Sequence, residues 1–266
     1  MYDISHDVKM HFTGLTKKML EGAKYAVLPG DPTRSKSLSE HLDSNSKFIC
    51  SNRQHDSYLS NISGEKVVVV STGMGCPAIS VTAEELAILG VKYFVRLGTS
   101  GTIRDNIELG DIVISRAAVK LDGASSQYAP VEYPAVASFS FTKSFIEGAK
   151  KENIPYHIGI TASSDTFWPG QERYDNFTGF LQRKFKGSLD EWHALNVTNF
   201  EMEASALFTL CSVFDLEAVC FCGIIAKRTE SEVPDLAGKK RAQVNWQKLL
   251  KSGLITDMIK RGFIKV

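Results

Sequence analysis

Three arginines and one threonine in the first hundred residues have the side chains needed to bind an anion. Arg34 follows a Gly-Asp-Pro turn, Arg53 lies in a half-polar segment, and Arg96 sits inside the apolar run YFVRLG. A buried guanidinium needs an anion or another partner, because an isolated charge is costly to desolvate. Thr99 adds a hydroxyl within the glycine-rich turn that follows. Together these residues predict charge-assisted binding of a phosphate dianion. The alternative is a set of tight turns with surface arginines.

A second group of candidate residues lies in the segment TASSDTFWPGQERYD. Gln171 has one amide acceptor and two donors, and Arg173 presents a rigid, charged donor fork two positions later. If the backbone is locally extended, both side chains point to the same side. They would then hold a flat polar ring such as uracil, with Phe167 or Trp168 stacked on it. The same residues also suit a surface turn in which Arg173 pairs with a neighbouring acidic residue.

The remaining candidates are one histidine and two glutamates. His11 is an isolated histidine near the N-terminus, where solvation is the ordinary state. Glu201 and Glu203 flank Met202 at the start of a predicted helix over residues 199–214. Carboxylates at a helix N-terminus favour the helix dipole. Dipole compensation accounts for one of these glutamates more easily than for both.

The composition is that of an ordinary globular protein. The 266 residues carry a net charge of +1, with 43% hydrophobic and 23% charged residues. This balance argues against nucleic acid or an acidic membrane as the main partner. No apolar run approaches the roughly 20 residues of a membrane span, and the N-terminus lacks a signal-peptide core. Five cysteines without a C-x-x-C pair, and six histidines without metal-ligand spacing, predict a cytoplasmic protein with reduced thiols and no metal site.

Alternating strand and helix patterns predict one α/β domain over residues 1–266 with a mostly parallel or mixed sheet. Residues 176–198 show no clean period and predict a flap or insertion. The predicted strands lie within 25–34, 47–60, 66–70, 92–102, 110–126, 157–160 and 218–229. The predicted helices are 77–90, 139–154, 199–214 and a tail from Pro234. Because ligands bind at the carboxyl ends of strands in such sheets, the arginines and glycines are expected to meet there.

A glycine-rich turn between a strand and a helix matches the dinucleotide-binding pattern Gly73-x-Gly75-x-x-Ala78. That fingerprint needs an acidic residue about 20 positions on, at the end of the next strand. The next strand offers Arg96 and Thr99 instead, so nicotinamide binding is disfavoured.

Several motifs, in order and spacing, resemble those of the uridine phosphorylase group of the nucleoside phosphorylase family. The likeness runs from about Gly14 to Pro234. The motifs are GDPTR (30–34), STGMG (71–75), RLGTSG (96–101), LDGASS (121–126), SSDTFWPGQERYD (163–175), FKGSLDEW (185–192), NFEMEAS (199–205) and Arg228-Thr229.

The resemblance implies a fold, a reaction and an assembly. The fold is a single α/β domain whose mixed twisted sheet forms a distorted β-barrel flanked by helices. The reaction is reversible cleavage of uridine by phosphate to uracil and ribose 1-phosphate, without a cofactor. The assembly is a homohexamer, a trimer of dimers with shared active sites.

The resemblance also implies a role for each candidate residue. Phosphate would be bound by Gly30, Arg34, Arg96 and Thr99, with Arg53 reaching the phosphate of a neighbouring subunit. The base would be bound by Phe167, Gln171, Arg173 and, through water, Arg228. Ribose would be bound by Thr99, Met202, Glu203 and a neighbour's His11. Catalysis would rest on Arg173, Glu203 and Arg96.

The sequence departs from the family pattern at several of these positions. Phe12 aligns with the family's ribose-contacting histidine, so His11 serves only if the chain shifts by one residue. Gln54 and Ala78 replace a glutamate and a serine that help to bind potassium between subunits, which puts that ion in doubt. The preference for thymine or deoxyribose stays open, because two pocket residues also differ: Phe200 and Lys227.

Two alternatives stay open at this point. A purine nucleoside phosphorylase or nucleosidase of the same superfamily would carry an aspartate on the late strand, and GIIAKRT contains none. A non-catalytic nucleoside-binding protein would be expected to lose some phosphate or base residues, whereas each of those positions is filled.

Overall fold

A mixed, ten-stranded sheet is the frame of the computed structural model, which describes residues 5–231, 233 and 235–265. The strands are β1 (Tyr25–Pro29), β2 (Lys47–Asn52), β3 (His55–Ile62), β4 (Glu65–Val70), β5 (Tyr93–Thr102), β6 (Ile112–Leu121), β7 (Ala135–Val136), β8 (Tyr156–Ser164), β9 (Val197–Glu201) and β10 (Glu217–Lys227). The helices are α1 (Pro32–Leu42), α2 (Cys76–Ile88), α3 (Phe139–Lys151), α4 (Ser188–Ala194), α5 (Ala204–Val213) and α6 (Leu236–Lys260).

Five strands close into a barrel. Strand β10 pairs with β5 in parallel and with β6 in antiparallel orientation. The ring continues through the parallel pairs β6–β8 and β8–β9 and returns through the antiparallel pair β9–β5. Strands β1, β4, β3 and β2 extend the sheet from β5. The predicted α/β fold with a distorted, helix-flanked barrel is confirmed.

Helices cover both faces of the central strands. Tyr25 and Val27 of β1 pack into one hydrophobic cluster, with residues of α3 and α6. Ala26 and Leu28 pack into the other, with residues of α2 and α5. Successive side chains of a strand point to opposite faces, so a strand covered on both sides is apolar throughout. This explains the continuous apolar runs of β1 and β4.

The parallel pairing places three strand ends together. In the register of β1 and β5, Leu28 lies opposite Arg96. In the register of β10 and β5, Gly223 lies opposite Thr99. The turn after β1, the glycine-rich last part of β5 and the end of β10 therefore meet at one edge of the sheet, as predicted from the topology of such sheets.

Three predicted elements differ from the structure. The segment 47–60 is a hairpin rather than one strand, because it turns at Arg53 and Gln54, with Arg53 in the left-handed region at φ 55°. The predicted helix 199–214 begins only at Ala204, since residues 199–201 belong to β9. The segment 176–198 contains α4 and the start of β9. The predicted start of the last helix at Pro234 lies outside the described residues, and no helix within them is long and apolar enough to cross a membrane.

Candidate active site

A cleft of about 520 Å³ lies where these strand ends meet. Its walls bring together both groups of residues predicted from the sequence. From the phosphate group they include Gly30, Arg34, Arg96 and Thr99, and from the base and ribose groups Phe167, Gln171, Arg173, Met202 and Glu203.

Arg34 is placed by the first turn of α1. Asp31 is the N-cap and accepts a hydrogen bond from the Thr33 backbone N–H at 2.9 Å, and Pro32 occupies the first helical position. This order of residues is typical of a helix start. The Arg34 guanidinium lies 4.9 Å from the Trp246 ring centroid. Burial lowers the pKa of Arg34. The side chain is nevertheless cationic, because arginine is not deprotonated in proteins.

Arg96 is buried in β5 and fixed by three acceptors. Its Nη1 donates to the Leu97 carbonyl at 2.6 Å and the Leu28 carbonyl at 3.2 Å. Its Nη2 donates to Glu203 Oε2 at 2.5 Å. Burial disfavours the charge, but the Glu203 carboxylate and other nearby groups outweigh burial and raise the pKa of Arg96. The guanidinium is therefore charged and oriented before any ligand arrives.

Glu203 joins the two sides of the cleft. Its Oε1 accepts from the Gly75 backbone N–H at 2.7 Å, while Oε2 binds Arg96. A carboxylate has about four acceptor positions, so Glu203 can accept further hydrogen bonds from a ligand. The sequence did not indicate the link to Arg96, because the two residues are 107 positions apart.

Gln171 and Arg173 are buried in the cleft wall, but not because the backbone is extended. Pro169–Gln171 form a 3-10 turn, and Glu172 is left-handed at φ 52°. The argument from alternating extended residues is therefore wrong, although both side chains line the same cleft. The Arg173 guanidinium lies 4.1 Å from the Phe167 ring centroid.

Arg228 contacts the backbone of the turn that carries Gln171 and Arg173 without lining the cleft itself. It follows β10, is buried, and does not line the cleft. Its Nη1 donates to the Gln171 carbonyl at 2.6 Å, and its Nη2 lies 3.5 Å from the Glu172 carbonyl. Arg228 thus contacts the backbone of the turn that carries Gln171 and Arg173.

Arg53 and His11 lie together and are not among the residues that line the cleft. Arg53 Nη2 is 3.5 Å from His11 Nε2, and both residues are exposed. Phe12 lies beside them, with its ring centroid 5.5 Å from the Arg53 guanidinium. The backbone N–H of Phe12 donates to Glu85 at 2.7 Å, which fixes this part of the N-terminal segment on α2.

Most of the chain is similar to proteins of a known family. Residues 24–252 match the family model described as the phosphorylase superfamily. The chain belongs to this superfamily. The uridine phosphorylase of Haemophilus influenzae is 48% identical over 229 residues, which is 86% of this chain and 90% of that protein. The uridine phosphorylases of Salmonella typhimurium and Escherichia coli are each 44% identical over 237 residues, 89% of this chain and 93% of theirs.

Glu201 is a cleft residue to which sequence reasoning gave no role in the site. Its carboxylate accepts from the Ser163 hydroxyl and from the backbone N–H groups of Glu203 at 2.8 Å and Ala204 at 2.9 Å. Burial and the adjacent Glu203 raise the pKa of Glu201 to about 7. Of the two glutamates, Glu201 is the one that satisfies the start of α5, and Glu203 is the one joined to Arg96. The apolar spacing around the pair gave no signal of this division.

One group of possible metal ligands occurs among the described residues, and it lies outside the cleft. The ligand atoms of Cys76, Asp122 and Asp165 lie within 4.8 Å of one another. Asp122 accepts from Ser205 at 2.5 Å, and Asp165 accepts from the Gly123 N–H at 2.9 Å. Burial raises the pKa of the Cys76 thiol, which disfavours the thiolate that a metal would need. The hydrogen bonds account for these carboxylates without an ion.

Proposed function

We propose that this protein is a uridine phosphorylase, a pentosyltransferase that cleaves uridine with phosphate to uracil and ribose 1-phosphate in pyrimidine salvage. The identities of 44–48% to curated uridine phosphorylases over most of the chain support this function. The structural observation that carries it is the shared cleft. Gln171 and Arg173 line the same cleft as Arg34 and Arg96, which supports a site that binds a polar ring beside an anion.

The phosphate half supplies the nucleophile. Arg34, Arg96, Thr99 and the Gly30 backbone would hold a phosphate oxyanion against the anomeric carbon of the nucleoside. Charge-assisted hydrogen bonds of this kind are about twice as strong as neutral ones. Arg96 is already oriented by Glu203 and two carbonyls, so little reorganisation is needed when phosphate binds.

The base half stabilises the leaving group. As the glycosidic bond breaks, negative charge develops on uracil, and Arg173 would donate to the carbonyl oxygen that receives it. Gln171 would accept from the ring N–H and donate to a carbonyl. Cytosine reverses part of this pattern, and unpaired buried polar groups can reject a base by about 10⁴-fold. Phe167 would pack on the ring.

The ribose lies between these halves in our proposal. Glu203 would accept from the sugar hydroxyls, and its negative charge would favour the oxocarbenium character of the transition state. Thr99 and Met202 would complete the sugar contacts, with His11 reaching in from a neighbouring subunit. No cofactor is expected, because phosphate is a co-substrate. Gln54 and Ala78 replace two residues that help to bind potassium in the family pattern, so a potassium site is not part of this proposal.

A homohexamer with shared sites, in the cytoplasm, is part of the same proposal. Arg53 and His11 are exposed and are not among the residues that line their own subunit's cleft. That arrangement suits residues that complete the site of a neighbouring subunit, and it is the observation that supports assembly.

A purine-specific enzyme of the superfamily is the nearest competing function. A guanosine phosphorylase of Halorubrum lacusprofundi is 31% identical over 199 residues, well below the similarity to the uridine enzymes. The strand end Ile224–Thr229 contains no aspartate to protonate a purine ring. The uridine assignment therefore accounts for more of the cleft.

One assay tests the proposal. The purified protein is incubated with uridine, thymidine, cytidine or inosine, each with and without phosphate, and free base and sugar phosphate are measured. We expect uracil and ribose 1-phosphate to appear in equal amounts only when phosphate is present. Uracil release without phosphate would contradict phosphorolysis, preferred cleavage of inosine would contradict pyrimidine specificity, and binding without turnover would indicate a nucleoside-binding protein.

A further inference from the structure

Glu172 lies between the two base-reading residues, yet its side chain leaves the cleft. Gln171 and Arg173 line the cleft, whereas Glu172 does not. Its backbone is left-handed, with φ 52° and ψ 48°, a region that residues other than glycine rarely occupy. Such a conformation persists only where the surroundings hold it. The hydrogen bonds of the Glu172 side chain hold the left-handed conformation in place.

The buried Glu172 carboxylate binds the start of α4. Oε1 accepts from the Gly187 backbone N–H at 2.5 Å, and Oε2 accepts from the Leu189 backbone N–H at 2.5 Å. The Ser188 hydroxyl lies 3.4 Å from Oε2. The first N–H groups of a helix have no partner inside it and need an external acceptor. Glu172 provides that acceptor from 15 to 17 residues away in the chain.

The opposite side of the same turn is held by its backbone. Arg228 donates to the Gln171 carbonyl at 2.6 Å. Within the turn, the Arg173 N–H donates to the Trp168 carbonyl at 2.8 Å. The turn is therefore held at several places, including the Gln171 carbonyl, which Arg228 contacts, and the Glu172 carboxylate, which binds the start of α4. Because Gln171 and Arg173 flank Glu172 directly, a change in the backbone dihedral angles of Glu172 would reorient them relative to each other.

We propose that Glu172 is a positioning residue that sets the orientation of Gln171 and Arg173 through its hydrogen bonds to Gly187 and Leu189. The inference rests on the proposed function for the identity of the base. It makes the segment 187–189 part of the base pocket's construction, although none of its residues lines the cleft. Loss of the link impairs base recognition and leaves phosphate binding intact.

The first test is Glu172→Gln, which keeps the shape of the side chain but turns an amide N–H towards one of the two backbone donors. Glu191→Gln on α4 is the matched control, since it removes the same charge from an exposed position. We expect Glu172→Gln to raise the KM for uridine by about 10-fold or more and to weaken discrimination against cytidine, because small displacements of positioning groups cost up to about 10²-fold. The KM for phosphate stays within about 2-fold in both variants. A purely structural role would reduce kcat through loss of folded enzyme while both KM values and the discrimination stayed at wild-type values, and that result overturns the proposal.

A second measurement, amide hydrogen exchange, does not depend on turnover. In Glu172→Gln without ligand we expect faster exchange in residues 168–173 as well as 186–190, and no change in Glu191→Gln. Acceleration confined to 186–190 would overturn the positioning role. In the wild-type protein, uracil should slow exchange in both segments, whereas inorganic phosphate should slow it in neither. If uracil protects residues 168–173 alone, the positioning role of Glu172 is also overturned. If the wild-type protein fails to cleave uridine, the proposed function falls, and the ligand-free comparison still decides the role of Glu172.

Discussion

At the scale of single residues, the cleft is built from charges that arrive already paired and oriented. Arg96 and Glu203 form a buried ion pair at 2.5 Å, and two carbonyls hold the rest of the Arg96 guanidinium. Removing one partner of such a pair leaves an uncompensated buried charge, so the pair acts as a unit. Arg173 has a different role in our proposal, because it stabilises the negative charge that develops on the base as the glycosidic bond breaks.

Arg173→Ala tests that role. We expect kcat for uridine to fall by about 10²–10³-fold, since a preorganised donor to developing negative charge typically contributes that much. Phosphate affinity, measured by calorimetry, should change little because Arg34 and Arg96 are untouched. Arg183→Ala, at an exposed arginine ten positions on, is the matched control and should behave as wild type. An equal loss of phosphate affinity in Arg173→Ala would mean that this guanidinium belongs to the phosphate half.

The chemistry of the residues was readable from sequence, whereas their connections were not. The types and positions of Gln171 and Arg173 predicted a polar wall, which the structure places in the cleft. The left-handed Glu172 gave no signal, because nothing local in the sequence imposes that conformation. In our proposal this conformation is held by the hydrogen bonds of Glu172 to Gly187 and Leu189 at the start of α4. Those residues lie in a segment whose pattern showed no clean period.

At the scale of elements, the junction of β9 and α5 determines where both glutamates point. Strand β9 ends at Glu201 and α5 begins at Ala204, with no glycine or proline between them. The apolar spacing continues across the junction, which is why a single helix over 199–214 was predicted. Strand pairing with β8 and β5, which involves residues far away in the chain, overrides that local pattern.

The same junction predicts a pH dependence of stability. The ordinary pKa of a glutamate is 4.5, and burial together with Glu203 raises that of Glu201 to about 7 in the folded protein. Between these values the folded state retains a proton that the unfolded state releases, so this residue's contribution to stability falls as pH rises and levels off above pH 7. The loss amounts to about 3 kcal/mol at most.

Glu201→Gln isolates this contribution. We expect the difference in unfolding free energy, wild type minus variant, to decrease as pH rises from 5 to 8 in urea titrations. Glu191→Gln, at an exposed glutamate, serves as the control and should show a difference that does not vary with pH. A difference for Glu201→Gln that grows with pH would mean that its hydrogen bonds from Ser163 and α5 hold the folded-state pKa below 4.5.

At the scale of the whole molecule, the parallel pairing of β5 with β1 and β10 brings these strands' ends to one edge, and Arg53 and His11 are not among the residues that line the cleft there. The barrel was predicted through the family resemblance, because strand order and closure depend on pairings such as β5–β10 that no local pattern shows. Arg53 stands at the left-handed turn between β2 and β3, exposed beside His11. Two of the predicted ligand-binding residues, Arg53 and His11, are therefore not part of this chain's own cleft lining.

Subunit mixing tests whether neighbouring subunits complete each other's sites. In our proposal, Arg53→Ala weakens phosphate binding in the partner's cleft, and Arg173→Ala disables its own. When the two variants are unfolded together and refolded, a mixed dimer contains one site with both arginines intact and one site with neither. Reciprocal sharing then restores activity to at most about one quarter of wild type, because half of randomly formed dimers are mixed and half of their sites are whole. Each variant refolded alone is the control. Activity no higher than the mean of the two controls would show that Arg53 serves no neighbouring cleft.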